Sequence, residues 1–542
     1  MTRMRLSHLT IRSTGRPINI TFGGCPIEAM EGETIGAALC AAGIVTLRHT
    51  AKGAPRGLHC GMGACFDCVV TVNGRIGQRA CMTLVAEGMA VSGAVPQRLD
   101  TMDAAPPQLE RKCDVLVVGG GVAGLAAAAE AAQAGASVVL LDERAMPGGQ
   151  YAKPLAASHR SIAPDRQFST GARLRDAARA AGVTIETEAL AWGAFAPDEI
   201  AALVRGQSVL YRPGRLILAP GAHELPVPIP GWTLPGVLTT GGLQALVRTQ
   251  LVLPGSRVLI AGNGPLNLQI ACELLTAGIA PVAVLESAPR PTVGNLAALV
   301  RMGLAAPDLT RDGVTMLRRL RRGAVPVLWQ TELERLEGDG RVQAALANGQ
   351  RFEVDVVALN RGFQAETGLA RALGVPHRLS PRGTLETVAG PDGRTAVEGV
   401  FAVGDGASFG GARVAEAAGR LAGRAAAADL GFRAGTPLHE RLERAKRFQA
   451  ALWQVFAAPP PGPLDDGTIV CRCEDVTAQQ LRACIVVGLA SLPALKKATR
   501  AGMGRCQGRF CCATMPACSV ASRTRMTLPH RRRRCVPCQP RR

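Results

Sequence analysis

Residues 112–143 read KCDVLVVGGGVAGLAAAAEAAQAGASVVLLDE. The apolar opening is a buried strand, the glycines a tight turn, the alanine-rich middle a helix, and VVLLDE a second strand. Gly119, Gly121 and Gly124 stand at G-x-G-x-x-G spacing on the turn, and Asp142 ends the second strand eighteen residues after the last glycine. The first glycine makes the turn, the second admits a pyrophosphate to the backbone, and the third lets helix pack on strand. The helix N-terminus carries partial positive charge toward phosphate, and Asp142 is placed to accept hydrogen bonds from ribose hydroxyls. The pattern predicts a dinucleotide-binding βαβ unit. Val115 to Leu141 is the most apolar stretch of the chain, but Glu130, Gln133 and the glycines argue against a membrane span.

Further along, GVFAVGDG (399–406) ends a strand before the helix GARVAEAAGRLAGRAAAA. This resembles the second flavin fingerprint of the two-dinucleotide-binding flavoproteins. The resemblance implies FAD on the first loop, with Gly404 and Asp405 at the ribityl chain and the helix N-terminus facing negative charge on reduced flavin. In LILAPGAHELPVPIPG (216–231), Ala219-Pro220-Gly221 stands where that family usually has Ala-Thr-Gly, and Pro147-Gly148-Gly149-Gln150 reads as flavin-contacting backbone. The alternative is an ordinary Rossmann domain with one nucleotide. Between these parts lies a second βαβ start, SRVLIAGNGPLNLQIACELLTAGIAPVAVLE (256–286). Gly262 and Gly264 supply its turn and close approach, while Asn267 takes the third glycine position, predicting looser packing or a side chain reaching into the site. Glu286 favours a free ribose 2′-hydroxyl, so a nicotinamide partner is expected to be NAD rather than NADP. The alternatives are another adenine nucleotide, or a fold kept without a nucleotide.

Eight of the 17 cysteines form two quartets that bracket these loops. Cys60, Cys65, Cys68 and Cys81 follow plant-type [2Fe-2S] spacing, C-x4-C-x2-C and a fourth thiol after a strand-turn stretch. Gly57, Gly61 and Gly63 supply a loop whose N–H groups can face cluster sulfurs. Structural zinc or disulfides are the alternatives, although zinc ligands usually come as two C-x2-4-C pairs. Upstream, PINITF (17–22), a GG turn and CPIEAM (25–30) predict a hairpin, and TIGAALCAAGI a helix opening at Thr34. The segment around GLHC (57–60) and RAC (79–81) resembles the ferredoxin-like small subunits and N-terminal domains of the hydrogen cyanide synthase, opine oxidase and heterotetrameric sarcosine oxidase group, over residues 13–93. The second quartet is Cys471, Cys473, Cys506 and Cys511, with two short helices between its halves. Down to ATRAGMGRCQGRFC it resembles the bacterioferritin-associated-ferredoxin-like [2Fe-2S] domain; a zinc knuckle is the alternative, and Cys512 reads as a bystander. Because this quartet ends just before an unusual tail, its cluster is expected to be poorly sealed.

From residue 113 to 512, the order of FAD fingerprint, GNGPLNLQ, GVFAVGDG and CRCE…GRCQGRFCC resembles the large flavoprotein subunits of hydrogen cyanide synthase, opine oxidase and D-hydroxyproline dehydrogenase, and the sarcosine oxidase alpha group, here fused to the ferredoxin-like part. The implied fold class is multidomain α/β and α+β. It consists of a β-grasp 2Fe-2S domain (1–95), a linker (96–112), a discontinuous FAD-binding domain (113–254 and 355–430), an NAD-binding-like insertion (255–354), a helix and Pro-rich linker (431–467), a small helical 2Fe-2S domain (468–512) and a basic tail (513–542). The implied activity is that of an FAD-dependent oxidoreductase, part of a dehydrogenase acting on CH-NH donors. It would accept electrons from an amino acid or secondary amine through a D-amino-acid-oxidase-like catalytic subunit, then pass them to a downstream electron acceptor. The other readings are a self-sufficient NADH-dependent reductase and a non-enzymatic iron–sulfur carrier. No catalytic residue is assigned.

Between Cys113 and Cys272 there is no cysteine, which argues against thiol-disulfide exchange at the flavin, and no Ser-His-Asp or metalloprotease spacing occurs. His223 and Glu224, beside the flavin-type loop, read as proton relays or as plain surface residues, the latter being the commoner case. The net charge of +20 is inflated by eight arginines after Ala513. That tail, with RRRR (531–534) and Cys535-VP-Cys538, reads as translation in a shifted frame rather than as a nucleic-acid, membrane or zinc element. RRLRR (318–322) reads as a solvated helix face. With no signal peptide, transmembrane segment or disulfide pattern, the chain is expected to be cytoplasmic, meeting the inner membrane at most peripherally through its electron acceptor.

Overall fold

The computed structural model describes residues 4–6, 11–94, 108–161, 164–433, 435, 439–489 and 491–515. The tail from 516 lies outside them, and with it the expected frame shift.

The N-terminal unit begins with β1 (Pro17–Phe22) and β2 (Cys25–Met30), joined at Gly23-Gly24, where both glycines have positive φ. Thr34 caps α1 (Ile35–Ala41), its hydroxyl accepting the Ala37 N–H at 3.2 Å. With β3 (Val69–Val72), β4 (Arg75–Arg79) and β5 (Ala90–Ser92) the sheet order is β2-β1-β5-β3-β4, and α1 buries Ile35 and Leu39 against it. This is the expected hairpin, helix and cysteine loop. A strap precedes it: Ile11–Ser13 pairs with His159–Ser161 of the flavoprotein, and Arg5 bridges to Val252.

The quoted stretch folds as β6 (Leu109–Val118), α2 (Val122–Gln133) and β7 (Val138–Leu141). VLVV and VVLL are apolar throughout because parallel strands are covered on both faces. With β8 (Thr184–Glu186), β9 (Ala189–Ala196), β10 (Glu199–Val204) and β11 (Gln207–Leu218) the sheet runs β8-β7-β6-β11-β10-β9. A Cβ on Gly124 would lie 1.8 Å from the Gly119 carbonyl oxygen, so the helix sits on the strand as the fingerprint requires.

A second parallel sheet contains β12 (Val237–Thr239), β13 (Val258–Gly262), β14 (Ala283–Glu286), β15 (Val327–Trp329) and β16 (Val356–Asn360), in the order β12-β16-β13-β14-β15. Two helices serve it: α3 (Thr240–Gln244) follows β12, and α4 (Pro265–Thr276) follows β13. The insertion is therefore wider than the expected 255–354. Val237–Thr239 and Val356–Asn360 fall within the FAD part by sequence but pair into this sheet, because β16 hydrogen-bonds β12 and β13. The chain then returns: β17 (Val400–Ala402) pairs with β11 in the first sheet.

Next comes α5 (Ala412–Ala428), whose Gly419 and Gly423 face α2 so closely that a Cβ would lie 2.1 and 2.2 Å from the Ala123 and Ala127 carbonyls. α6 (His439–Val455) leads to the C-terminal unit, formed by β18 (Ile469–Cys471), β19 (Val476–Thr477), α7 (Ala478–Val486) and α8 (Leu492–Thr499). RRLRR closes the helix Pro307–Arg322 with its arginines exposed and Leu320 buried. Among the described residues no helix is long and apolar enough to cross a membrane.

Gly423→Val forces α5 away from α2. Overpacking of this kind costs about 1–3 kcal/mol, so thermal unfolding is expected to move to lower temperature while Gly435→Val, whose Cβ meets only the tip of Arg424, leaves it in place.

Candidate functional site

The C-terminal ends of β6, β11 and β17 meet at one point, the place where open α/β sheets bind ligands. Gly119 there has φ +107, and a Cβ would lie 2.2 Å from the Ala219 carbonyl oxygen; Gly121 caps α2 from outside. Asp142 accepts the Gly120 N–H at 3.0 Å and the Arg144 N–H at 2.9 Å, and burial pushes its carboxyl up to about 6. Asp405 accepts the N–H groups of Gly410 and Gly411, both at 2.9 Å, at the N-terminus of α5. Gly221, at φ +78, leaves open space where a side chain would stand. Gly119, Gly121, Asp142, Gly221 and Asp405 all line one cleft of about 3300 Å³. Gly404, at φ +64, supports it from behind, where its Cβ would meet Ala123. These residues suit FAD: two glycine turns that leave no side chain in the way, and an acid at each end.

The same cleft is lined by Met62, Gly63 and Ala64 of the first cysteine loop and by Gln507 and Arg509 of the second. Within the loops the thiols associate two by two: Cys60 with Cys65, Cys68 with Cys81, Cys471 with Cys511 and Cys473 with Cys506. Among the described residues no three His, Cys, Asp or Glu side chains converge on a single-ion position; two pairs of thiols per loop suit a cluster of two irons, each held by two sulfurs. Burial would raise the Cys60 thiol, but the Cys65 thiol and the N–H groups of Met62, Cys65 and Ala64 bring it down to about 7. In the second quartet the Cys511 thiol brings Cys471 down to about 6, and the Cys473 thiol brings Cys506 to about 7. Backbone N–H groups thus point at sulfur in both loops, as thiolate ligands require. Cys512 is not detached from the quartet; its thiol pairs with that of Cys511.

The two loops touch. Cys65 and Phe510 share an apolar contact with Cys60 and Met62, and Cys65 also lines a small void of about 10 Å³ with all four thiols of the second quartet. Asp67, between Cys65 and Cys68, accepts the Arg472 Nε–H at 2.5 Å, and Arg472 lies between Cys471 and Cys473. Both are buried, and Arg56 pairs with Asp475 beside them. Burial alone would raise the Asp67 carboxyl; Arg472, with His59, Arg48 and Arg56 behind it, holds it below the usual carboxylate range. Arg472 also donates to the Trp232 carbonyl at 2.6 Å and lies over its ring, while the Trp232 indole donates to the Ile469 carbonyl at 2.6 Å. The second quartet is therefore not poorly sealed. Cys471, Cys506 and Cys511 are buried, closed off by the first loop and Trp232 rather than by the tail.

His223 and Glu224 are not surface residues. The strand Ala222–Glu224 pairs with Phe363–Ala365, and both side chains are buried. His223 Nε2 lies 3.0 Å from the Arg509 carbonyl, and Glu224 accepts the Asn360 amide at 2.6 Å and the Gly241 N–H at 3.0 Å. In the second dinucleotide unit, Gly262 has φ +134 and a Cβ there would lie 1.7 Å from the Asn360 carbonyl oxygen. Glu286 accepts the Gly264 N–H at 2.9 Å, and Asn267 turns to Thr240, whose hydroxyl donates to it at 2.8 Å, instead of into the cleft. Sequence reasoning does not find Asp67, Arg472, Trp232 or Phe510. The available signal is an acid inside one cysteine motif and a base inside the other.

Arg472→Leu strands the Asp67 carboxylate with Arg48 at 3.7 Å. Breaking one side of a buried pair costs about 3–5 kcal/mol, so amide exchange across residues 468–489 is expected to quicken, and Asp67→Leu in the same protein to recover part of the protection.

Comparison with known proteins agrees with this geometry. Residues 113–422 match the family described as Pyridine nucleotide-disulphide oxidoreductase, residues 15–95 the 2Fe-2S iron-sulfur cluster binding domain, and residues 469–516 the BFD-like [2Fe-2S] binding domain. An opine oxidase subunit of Agrobacterium tumefaciens (strain Ach5) is 33% identical over 441 residues, covering 76% of this chain and 87% of its own. Hydrogen cyanide synthase subunit HcnB of Pseudomonas aeruginosa is 32% identical over 430 residues, covering 73% and 90%. Among solved structures, L-proline dehydrogenase from P. horikoshii superposes with a TM-score of 0.73 at 20% identity, covering 98% of this chain and 97% of that one, which shows a shared fold. With FAD and two 2Fe-2S clusters as its cofactors, the chain belongs to the pyridine nucleotide-disulphide oxidoreductase family, in the group that holds HcnB and the opine oxidase flavoproteins.

Proposed function

We propose that this chain is the electron-accepting subunit of an amino-acid or secondary-amine dehydrogenase, working with a downstream acceptor and a D-amino-acid-oxidase-like catalytic subunit. The observation that carries the reading is the shared cleft: the flavin-type glycine turns and both cysteine loops line one space, and the two loops are in contact. That is a route for electrons arriving in pairs and leaving singly. FAD, when bound, supplies the conversion between two-electron and one-electron chemistry.

In this reading Gly119, Gly121 and Gly124 shape the pyrophosphate seat, Asp142 takes the ribose, and Gly221, Gly404 and Asp405 take the flavin end. Cys60, Cys65, Cys68 and Cys81 hold one cluster, and Cys471, Cys473, Cys506 and Cys511 the other. His223 and Glu224, buried at the cleft wall, are the groups placed to hold a proton there. Burial keeps the Glu224 carboxyl above its ordinary range, while the hydrogen bonds from Thr239, Asn360 and Gly241 limit the rise. The relatives' names support the substrate class, since opines and sarcosine are both secondary amines. The catalytic partner would meet the amine, and this chain the electrons. We place the complex in the cytoplasm, with any membrane contact made through its acceptor.

Anaerobic spectra test this. Sarcosine, proline or an opine is expected to bleach the flavin only when the oxidase-type partner is present. Bleaching by NADH alone, or by the amine with this chain alone, contradicts it. Cys65→Ser and Cys473→Ser are each expected to lower bound iron from about four to about two per chain with flavin content retained.

A further inference from the structure

The two dinucleotide units differ in what stands in front of their glycine turns. At the first, Asp142 reaches the cleft wall and Gly121 faces only the backbone of Gly149. At the second, the acid does not reach the cleft: Glu286 is 0% exposed and is absent from the residues that line it. Its carboxylate already accepts three N–H donors, the Asn263 side chain at 2.8 Å, Gly264 at 2.9 Å and Ala288 at 2.9 Å.

What covers it is α6 and the residue beyond. The Trp453 ring lies 3.9 Å from the point where a Gly264 side chain would begin, which is where the second glycine of the fingerprint admits a pyrophosphate. A phosphate group is too thick for that gap. The Phe456 carbonyl accepts the other bond from the Asn263 amide at 3.1 Å, directly above Glu286. The Phe456 ring pairs with Trp329 at 6.4 Å, and Trp329 is the strand neighbour of Glu286, on the side where a ribose and its base would lie.

The cover is well anchored. Phe448, Ala451, Val455 and Phe456 are buried in the same core as Ile260, Leu268 and Val284 of the second sheet. The Trp453 indole donates to the Gln449 side-chain oxygen at 2.6 Å, Arg382 lies 4.1 Å above the ring, and Arg301 donates to Gln454 at 2.6 Å. Gln449 donates in turn to the Gly410 carbonyl at 3.1 Å, beside the N–H groups that hold Asp405. One helix therefore braces the flavin end of the cleft and occupies the front of the second turn.

We propose that α6 is a built-in occupant of the second dinucleotide site, with Trp453 in the pyrophosphate position and Phe456 over the ribose position, so that the folded chain takes no NAD(H) and no other adenine nucleotide there. The fingerprint GNGPLNLQ is kept for its turn, not for a ligand. A consequence is that hydride from NADH has no seat, independently of which amine the complex oxidises.

Equilibrium titration of the purified flavin-loaded chain with NAD⁺, and separately with ADP, tests this by calorimetry. The native protein is expected to show no binding, and hydrogen exchange over residues 439–456 to be unchanged by either nucleotide. Trp453→Ala combined with Phe456→Ala is expected to admit NAD⁺, and Glu286→Ala added to that variant to weaken it at least tenfold. Stoichiometric binding of NAD⁺ or ADP to the native protein, weakened by Glu286→Ala, overturns the proposal. So does a double variant that keeps its flavin and its circular dichroism yet still excludes both nucleotides, since α6 would then not be what closes the site. The native-protein titration decides the matter even where the double variant does not fold.

Discussion

Asp67 and Arg472 bring opposite charges into a volume that water does not reach, and each sits in the middle of a cysteine motif. Desolvating two ions is costly, and the pair persists because every other requirement around it is met. Arg472 also bonds the Trp232 carbonyl, Arg48 donates to the Asp67 carbonyl, and Arg56 and Asp475 form a second pair alongside. The result is a fixed register between loops more than 400 residues apart in sequence. A hydrophobic contact would hold the domains together; the charged pair also sets which face of one loop meets which face of the other. Because electron transfer depends steeply on separation, that register is a functional property as well as a structural one.

The rest of the molecule serves the same geometry. The ferredoxin-like unit is strapped down by Ile11–Ser13 on one side and rests its Gly61 against Gly242 of α3 on the other, too close for any side chain. The flavin cleft keeps its shape because α2 and α5 pack through Gly419 and Gly423, where the close approach of two backbones leaves little room to shift. α6 then spans from the N-terminus of α5 to the second glycine turn. Rigid packing on three sides leaves the cleft as the place where all the redox elements are brought into one space.

Much of this was legible in the chain. Cysteine spacing and glycine fingerprints are local patterns, so the FAD turn at 119–124, the quartet at 60–81 and the quartet at 471–511 can be read from short windows. What was not legible depends on distant partners. Val237–Thr239 is a three-residue strand with no periodicity of its own, and only its bonding to Val356–Asn360 assigns it to the second sheet. His223 and Glu224 look like a polar step on a loop until Arg509 and Asn360 arrive to bond them. The sealing of the second quartet comes from Cys65, Asp67 and Trp232, none of which lies near it in sequence. The closure of the second nucleotide turn is hidden for the same reason: Glu286 is correctly placed, but the residues that cover it belong to a helix that reads as a linker.

The contact between the two cysteine loops is the central claim, and paramagnetic resonance of the fully reduced protein tests it most directly. Two clusters held by loops that share Cys65 and Phe510 are expected to show signals broadened and split by mutual spin interaction, which Arg472→Leu should weaken while leaving both clusters bound. Two independent signals that add without interaction in the native protein would contradict the account.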